Sequence, residues 1–237
     1  MPEGGLIAIA DAVVELVEKR WRTVHLILVR QISGDSAVIL PPFIRNGTET
    51  CDGWRQAFEQ APREVLARIQ ALVCDGHRGL VNEGHWRKWV MQRCHFHLLA
   101  RIQSRRSRWQ IARHKEEAET IFKNIHLVLE NDDKKEIAKA LNLLEEIGWL
   151  STSPEIRKVL SGFVNNYVEF RSYLIHPKLN LPTTNNTAES LASSIADLKH
   201  RMRGFPTMES FTQWIIALLK FKKTLKCRGR NQPRKVG

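Results

Sequence analysis

Four cysteines in 237 residues, at positions 51, 74, 94 and 227, are too few and too scattered for a disulfide framework. The fold must be held by apolar burial. The 43% of hydrophobic residues over this length suffice for a core in one large domain or two small ones. A reducing, cytoplasmic setting is expected. No run of roughly 18 apolar residues occurs, so no spanning helix is expected. The opening stretch MPEGGLIAIADAV has no basic segment ahead of its apolar run and does not read as a secretory signal. Neither common glycine-rich phosphate loop is present, nothing local supports a nucleophile elbow, and there is no internal repeat. Acids are the other shortage. Asp+Glu number 25 against Lys+Arg 37, a net charge of +12. Such a surplus needs solvent or a polyanion, of which nucleic acid phosphate is the commonest and an acidic membrane surface the alternative.

The first third reads as a sheet. Leu6 to Val17 is apolar apart from Asp11 and Glu15, as suits a strand buried on both faces. Glu18-Lys19-Arg20 is a turn, Thr23 to Val29 a second strand, and Ser36 to Leu40 a third that Pro41-Pro42 ends. Asp52 is a candidate N-cap, and Pro62 opens a second helix to about Gln70. Ala71 to Cys74 is a buried strand ending at Asp75-Gly76, and Trp89 to Cys94 is a fifth strand. From about 105 to 176 the apolar spacing is helical, with stripes such as Ile121, Ile125, Val128 and Leu129, or Ile137, Leu141, Leu144 and Ile147, the latter stopped by Gly148. Asn185 or Asn186 caps a further helix that Gly204-Phe205-Pro206 breaks, and a last helix covers about 208 to 225. Three antiparallel strands followed by two that return through helices describe an α/β fold with a mixed five-stranded sheet, a succession that matches a ribonuclease H-like fold.

Three acids stand out. A carboxylate inside an apolar strand, as at Asp11, is costly unless paired, protonated or bound to a metal. Asp75 sits where a strand ends, the usual place for functional groups in open α/β sheets. Two carboxylates brought together repel, and a hard divalent cation such as Mg²⁺ or Mn²⁺ relieves the repulsion. Simpler readings stay open: a hydrogen-bonded or edge-exposed Asp11, and Asp75-Gly76 as an ordinary turn pair. Glu15, four residues along the same strand face, is a rival ligand. Glu189, with Asn186 as N-cap, falls where a capping box would use it.

Cys94-x-x-His97 has zinc-like spacing, but a structural zinc needs four ligands and no close second pair exists. From Arg93 to Lys115 the basic residues, Arg101, Arg105 and Arg106 among them, run without an intervening acid, with Trp109 in their midst. Lys199, Arg201 and Arg203 form a second cluster, and Lys220, Lys222, Lys223, Lys226, Arg228, Arg230, Arg234 and Lys235 a third at the C-terminus. Three uncompensated runs favour a polyanion held through its backbone, without sequence specificity.

The stretches IADA around Asp11, VCDGHRGL around Asp75, QRCHFHLLARIQ around Cys94 and PTTNNTAESLASSIADLKHRMRGFPTMESFTQWI around Glu189, taken in this order, resemble the Mutator-type DDE transposases of prokaryotic insertion sequences over essentially the whole chain. The resemblance implies a ribonuclease H-like core in residues 1–104, an all-helical insertion in 105–180 before the last catalytic acid, core completion in 181–225 and a basic tail in 226–237. It implies two-metal-ion cleavage and strand transfer of DNA, with Asp11, Asp75 and Glu189 as catalytic acids and Mg²⁺ or Mn²⁺ ligands. Cys94 and His97 would be structural support near the site. Arg101, Arg105, Arg106, Arg201 and Arg203 would grip the DNA backbone. The partners implied are element ends and target DNA, with a homo-oligomer assembled on them at the nucleoid. Asp11 lies ten residues after Met1, leaving no room for the family's N-terminal DNA-binding region, so a truncated copy or a separate upstream reading frame is expected. Two other readings are a non-catalytic DNA-binding remnant that acts as a regulator, and a ribonuclease H-like nuclease with another substrate.

Overall fold

The computed structural model describes residues 4–106 and 113–227, with no account of the side chains of 104–106 and 113–115. The chain forms two compact units, Met1–Arg93 with Ser172–Gly237, and Cys94–Arg171. In the first, β1 (Leu6–Val17) pairs antiparallel with β2 (Arg20–Gln31) along its whole length. Their two-residue turn, Glu18-Lys19, has φ of 51° and 60°. Positive φ at both central residues is the hand of turn that matches strand twist, and polar side chains tolerate it at the solvent edge. β1 also pairs in parallel with β5 (Ile69–Cys74), and β5 in parallel with β6 (Val90–Arg93).

Among the described residues the sheet has seven strands rather than the expected five, in the order β6-β5-β1-β2-β3-β7, with β4 pairing β2. The two additional strands are β4 (Phe43–Asn46) and β7 (Thr224–Lys226). β2 is twelve residues long, and β3 (Ser36–Ile39) covers only Leu28 to Arg30 of its outer edge. After Pro41-Pro42 the chain returns to the same edge, and β4 covers Arg22 to His25. β7 was expected to be helix and tail; it instead satisfies the free edge of β3. Such short, polar segments acquire strand form only from the neighbour that they pair with.

Alternation along β1 and β2 sends side chains to opposite faces. Leu6, Ala8, Ala10, Ile27 and Val29 pack against α1 (Cys51–Glu59), α2 (Arg63–Leu66) and α3 (Arg78–Trp86) through Trp54, Phe58, Val65 and Leu80. Ile7, Ile9, Leu26 and Leu28 pack against α9 (Asn186–Arg201) and α10 (Met208–Lys222) through Leu191, Ile195, Phe211 and Ile215. The cap of α1 is Thr50 rather than Asp52, its Oγ1 accepting from Gly53 N at 3.0 Å. α2 stops at Leu66, short of Gln70, because β5 already begins at Ile69. The chain reaches α9 through α8 (Ser172–Ile175) and a short 3₁₀ turn, Pro177–Leu179. Buried Arg30 anchors this turn, donating to Asn180 O at 2.5 Å and Gly34 O at 3.1 Å.

The second unit holds α4 (His95–Arg106), α5 (Arg113–Glu130), α6 (Lys134–Leu150) and α7 (Pro154–Phe170). The stripes expected from the apolar spacing form its core: Leu98, Ile121, Ile125, Val128, Leu144, Leu160 and Phe163 are all buried. Gly148 does not stop α6. It is buried inside the helix, where an added Cβ would sit 3.5 Å from Leu160 Cβ, so it permits close approach to α7. Asn166 breaks helical geometry within α7 (φ −130°, ψ 19°), and its side chain donates to Gly162 O at 2.8 Å. The Arg171 guanidinium donates to Val128 O and pairs with Asp132 at 3.6 Å, closing the unit. Among the described residues no helix is long and apolar enough to cross a membrane.

His25 is buried in β2 against Trp54 and Phe43, and desolvation pulls its pKa down from 6.5 to about 4. Between these values the unfolded chain takes a proton that the folded chain refuses, so stability present above pH 6.5 is lost as pH falls towards 4. The loss is at most about 3 kcal/mol. Urea melts between pH 7 and 4 should show a shallower decline in His25→Asn than in the parent chain; equal slopes would refute this account.

Candidate functional site

Asp11 lies between Ile9 and Val13 on the β1 face that packs against α9. Parallel pairing with β5 ends at Ile9–Val73, so Asp11 stands just past the point where that neighbour stops. Extending the register by two residues brings Asp75, which follows β5, level with Asp11. Gly76 turns the chain there with φ of 91°. Asp75 Oδ1 accepts from His77 N at 2.8 Å, which fixes the carboxylate ahead of α3. The Arg93 side chain runs over this turn, its Cδ 3.5 Å from where a Cβ on Gly76 would lie. Glu189 sits in the first turn of α9, next to buried Ala188.

The three acids act on one another. Burial pushes the Asp11 pKa up from 3.8 to about 7; the Ala12 N–H donated at 2.9 Å opposes this, and the charges of Asp75, Glu189 and Glu49 add to it. Glu49 went unnoticed in the sequence because it stands alone before α1 with no motif around it. Its own pKa is raised by burial and by Asp75, and lowered by the Trp54 indole, which donates to it at 2.6 Å, and by His77, whose Nδ1 lies 3.1 Å away. Four half-buried carboxyl groups from four separate segments thus share one electrostatic neighbourhood.

Glu15, the rival ligand, is removed from contention because it is buried and paired with Lys199 of α9. The capping box at Glu189 does not form either. The N-cap is Asn185, one residue earlier than a box requires, and Asn185 makes no side-chain bond to its own helix. Its Nδ2 instead donates to Asp11 Oδ2 at 3.4 Å, across 174 residues. Asn185 is fully buried, and its Oδ1 has no partner among the described residues.

Cys94 is buried at the entry to α4, and His97 lies in the first turn of that helix, both in the helical unit. None of the four cysteines forms a disulfide among the described residues. Arg101 is exposed on α4, whereas the side chains of Arg105 and Arg106 lie outside the described residues, as do Trp109 and residues 228–237. Arg201 and Arg203 are exposed at the far end of α9, twelve and fourteen residues beyond Glu189, hence about 18 Å or more along the helix.

A family model described as "Transposase, Mutator family" matches residues 10–224, a span that opens just before Asp11 and closes in β7. No curated protein matches the chain.

Because Asp11 keeps its proton to about pH 7 in the fold but only to about 3.8 when unfolded, the folded state loses stability as pH rises from 3.8 to 7. Replacing Asp11 by Asn removes that penalty. In EDTA at pH 8 the variant should gain on the order of 2–4 kcal/mol by urea denaturation, and unchanged or lower stability would contradict the arrangement.

Proposed function

The chain belongs to the Mutator family of transposases, and from this premise we propose that its sheet unit cleaves DNA and transfers the resulting strand, using Asp11, Asp75 and Glu189 as a DDE triad with Mg²⁺ or Mn²⁺. The observation that carries the reading is the coupling of Asp11 to the other two acids, which arrive from the middle of β1, the end of β5 and the first turn of α9. A cluster of mutually repelling carboxylates with a raised pKa is an incomplete arrangement, and the natural complement of hard oxygen donors is a hard divalent cation. The central order β3-β2-β1-β5-β6, with three antiparallel strands and then two parallel ones, supports a ribonuclease H-like core.

Divalent ions in such a site supply charge neutralisation at the scissile phosphate and a deprotonated oxygen nucleophile at neutral pH. The protein's part is positioning. Asp11 is held by the sheet, Asp75 by its own turn to His77 N, and Glu189 by a helix whose Ala188, Leu191 and Ile195 are wedged against the sheet. Each acid is therefore fixed by a different rigid element, the condition for aligning a phosphate without reorganisation. Glu49, backed by His77 and the Trp54 indole, adds negative potential at the rim. Exposed Arg101, Arg201 and Arg203 are proposed contacts to the DNA backbone, acting on element ends and target DNA in an oligomer assembled there.

With supercoiled plasmid and oligonucleotide ends as substrates, nicking should require Mg²⁺ or Mn²⁺. Asp75→Ala and Glu189→Ala should each lower its rate by roughly 10³-fold or more, since several kcal/mol of charge stabilisation goes with each ligand. DNA binding, followed by fluorescence anisotropy, should fall steeply with salt and change little in either variant. Cleavage in EDTA, or cleavage surviving both substitutions, would overturn the proposal.

A further inference from the structure

We infer that Asn185 is a fourth, neutral oxygen ligand of the divalent-cation site, a role that rests on the reading of Asp11, Asp75 and Glu189 given above.

Asn185 occupies a position where an asparagine normally caps its helix, yet it does not. Two backbone N–H groups of the first turn, those of Ala188 and Glu189, bond instead to its main-chain oxygen, at 2.8 and 3.1 Å. The side chain is thereby released from local duty and buried completely, with its Nδ2 on Asp11 Oδ2. Its Oδ1 is buried without a partner among the described residues. An unsatisfied buried carbonyl costs about 1–3 kcal/mol, and the fold retains it beside a group of carboxylates that itself calls for positive charge. A cation beside Asp11 would supply the positive charge and, once the carboxamide has turned, a partner for its oxygen.

The geometry allows it. The carboxamide is nearly symmetric in shape, so a half-turn about its last torsion exchanges oxygen and nitrogen without moving α9. Oδ1 then stands where Nδ2 stands now, 3.4 Å from Asp11 Oδ2. Adjacent ligands of an octahedral ion with bonds of about 2.1 Å are separated by about 3 Å, so the two oxygens are already close to the spacing that one ion requires. Without the ion, the opposite orientation is favoured, because the amide N–H then faces the carboxylate. Asn185 thus serves the empty site as a donor to Asp11 and the loaded site as an acceptor for the cation. A neutral ligand completes the coordination without adding to the negative charge of Asp75, Glu189 and Glu49 around Asp11, whose ionised form burial already disfavours.

Isothermal titration of the full chain with Mn²⁺ tests this, with thermal melts in EDTA to confirm folding of each variant. Asn185→Ala should weaken Mn²⁺ binding about 10-fold or more, within the range seen when groups that support a metal site are removed. Asn185→Asp keeps an oxygen but cannot donate to Asp11, and it should bind Mn²⁺ at least as tightly as the parent. Parent-like affinity in Asn185→Ala, or equally weak binding in the Ala and Asp variants, would overturn the ligand role while leaving the three acids as the site. Failure of the parent chain itself to bind Mn²⁺ would overturn the metal site and this inference together.

Discussion

A half-buried carboxylate on an apolar strand face is the constraint on which the candidate site of the first unit depends. Asp11 lies on a β1 face that otherwise carries Ile7, Ile9 and Val13, and burial alone makes its ionised form expensive. Among the described residues no salt bridge compensates it. Lys199 stands on the packed helix and is spent four residues further along, on Glu15. Two carboxylates on one strand face thus have opposite fates. Glu15 is neutralised within the chain, whereas Asp11 is surrounded by Asp75, Glu189 and Glu49. The contrast between a paired Glu15 and an Asp11 set among acids is what the proposed cation site rests on.

The surroundings make that repulsion bearable. Both faces of the sheet are closed by helices, with Trp54, Phe58 and Leu80 on one side and Leu191, Ile195 and Phe211 on the other. This apolar burial supplies the stability from which a few kcal/mol of electrostatic strain can be drawn. The strain is local because the pairing of β1 with β5 ends at Ile9–Val73, two residues before Asp11 and Asp75, which leaves both at an open strand end. The helical unit has a core of its own, built from Ile121, Ile125, Leu144, Leu160 and Phe163.

Strands β1, β2 and β5 were legible because long apolar or β-branched runs announce a buried strand, and β3 and β6 because short apolar stretches stand between turn signals. The helical stripes were legible from their spacing. β4 and β7 were not, because three or four residues with one or two apolar side chains among them give too short a pattern until an open edge accepts them. Gly148 misled, since a glycine that lets two helices approach and one that ends a helix look alike in one dimension. Asp11 and Asp75 could be suspected from an acid inside an apolar run and an acid at a strand end. Glu49 and the placement of the Asn185 side chain could not. The first has no periodic context, and the second was indistinguishable from an ordinary cap until its side chain was seen turned away from its own helix towards Asp11.

The sequence by itself determined the hydrophobic layers, the strand and helix types that build them, the surplus of positive charge and the family. These follow from local periodicity and composition, which are properties of neighbours along the chain. Only the tertiary structure decided which acids meet, because Asp11, Asp75 and Glu189 are separated by 64 and 114 residues and their encounter depends on strand register and on how α9 lies on the sheet. A one-residue slip of β1 would turn Asp11 to the opposite face. Pairing Glu15 with Lys199 and leaving Asp11 among acids is likewise a choice made by packing, and that choice distinguishes a site from a salt bridge.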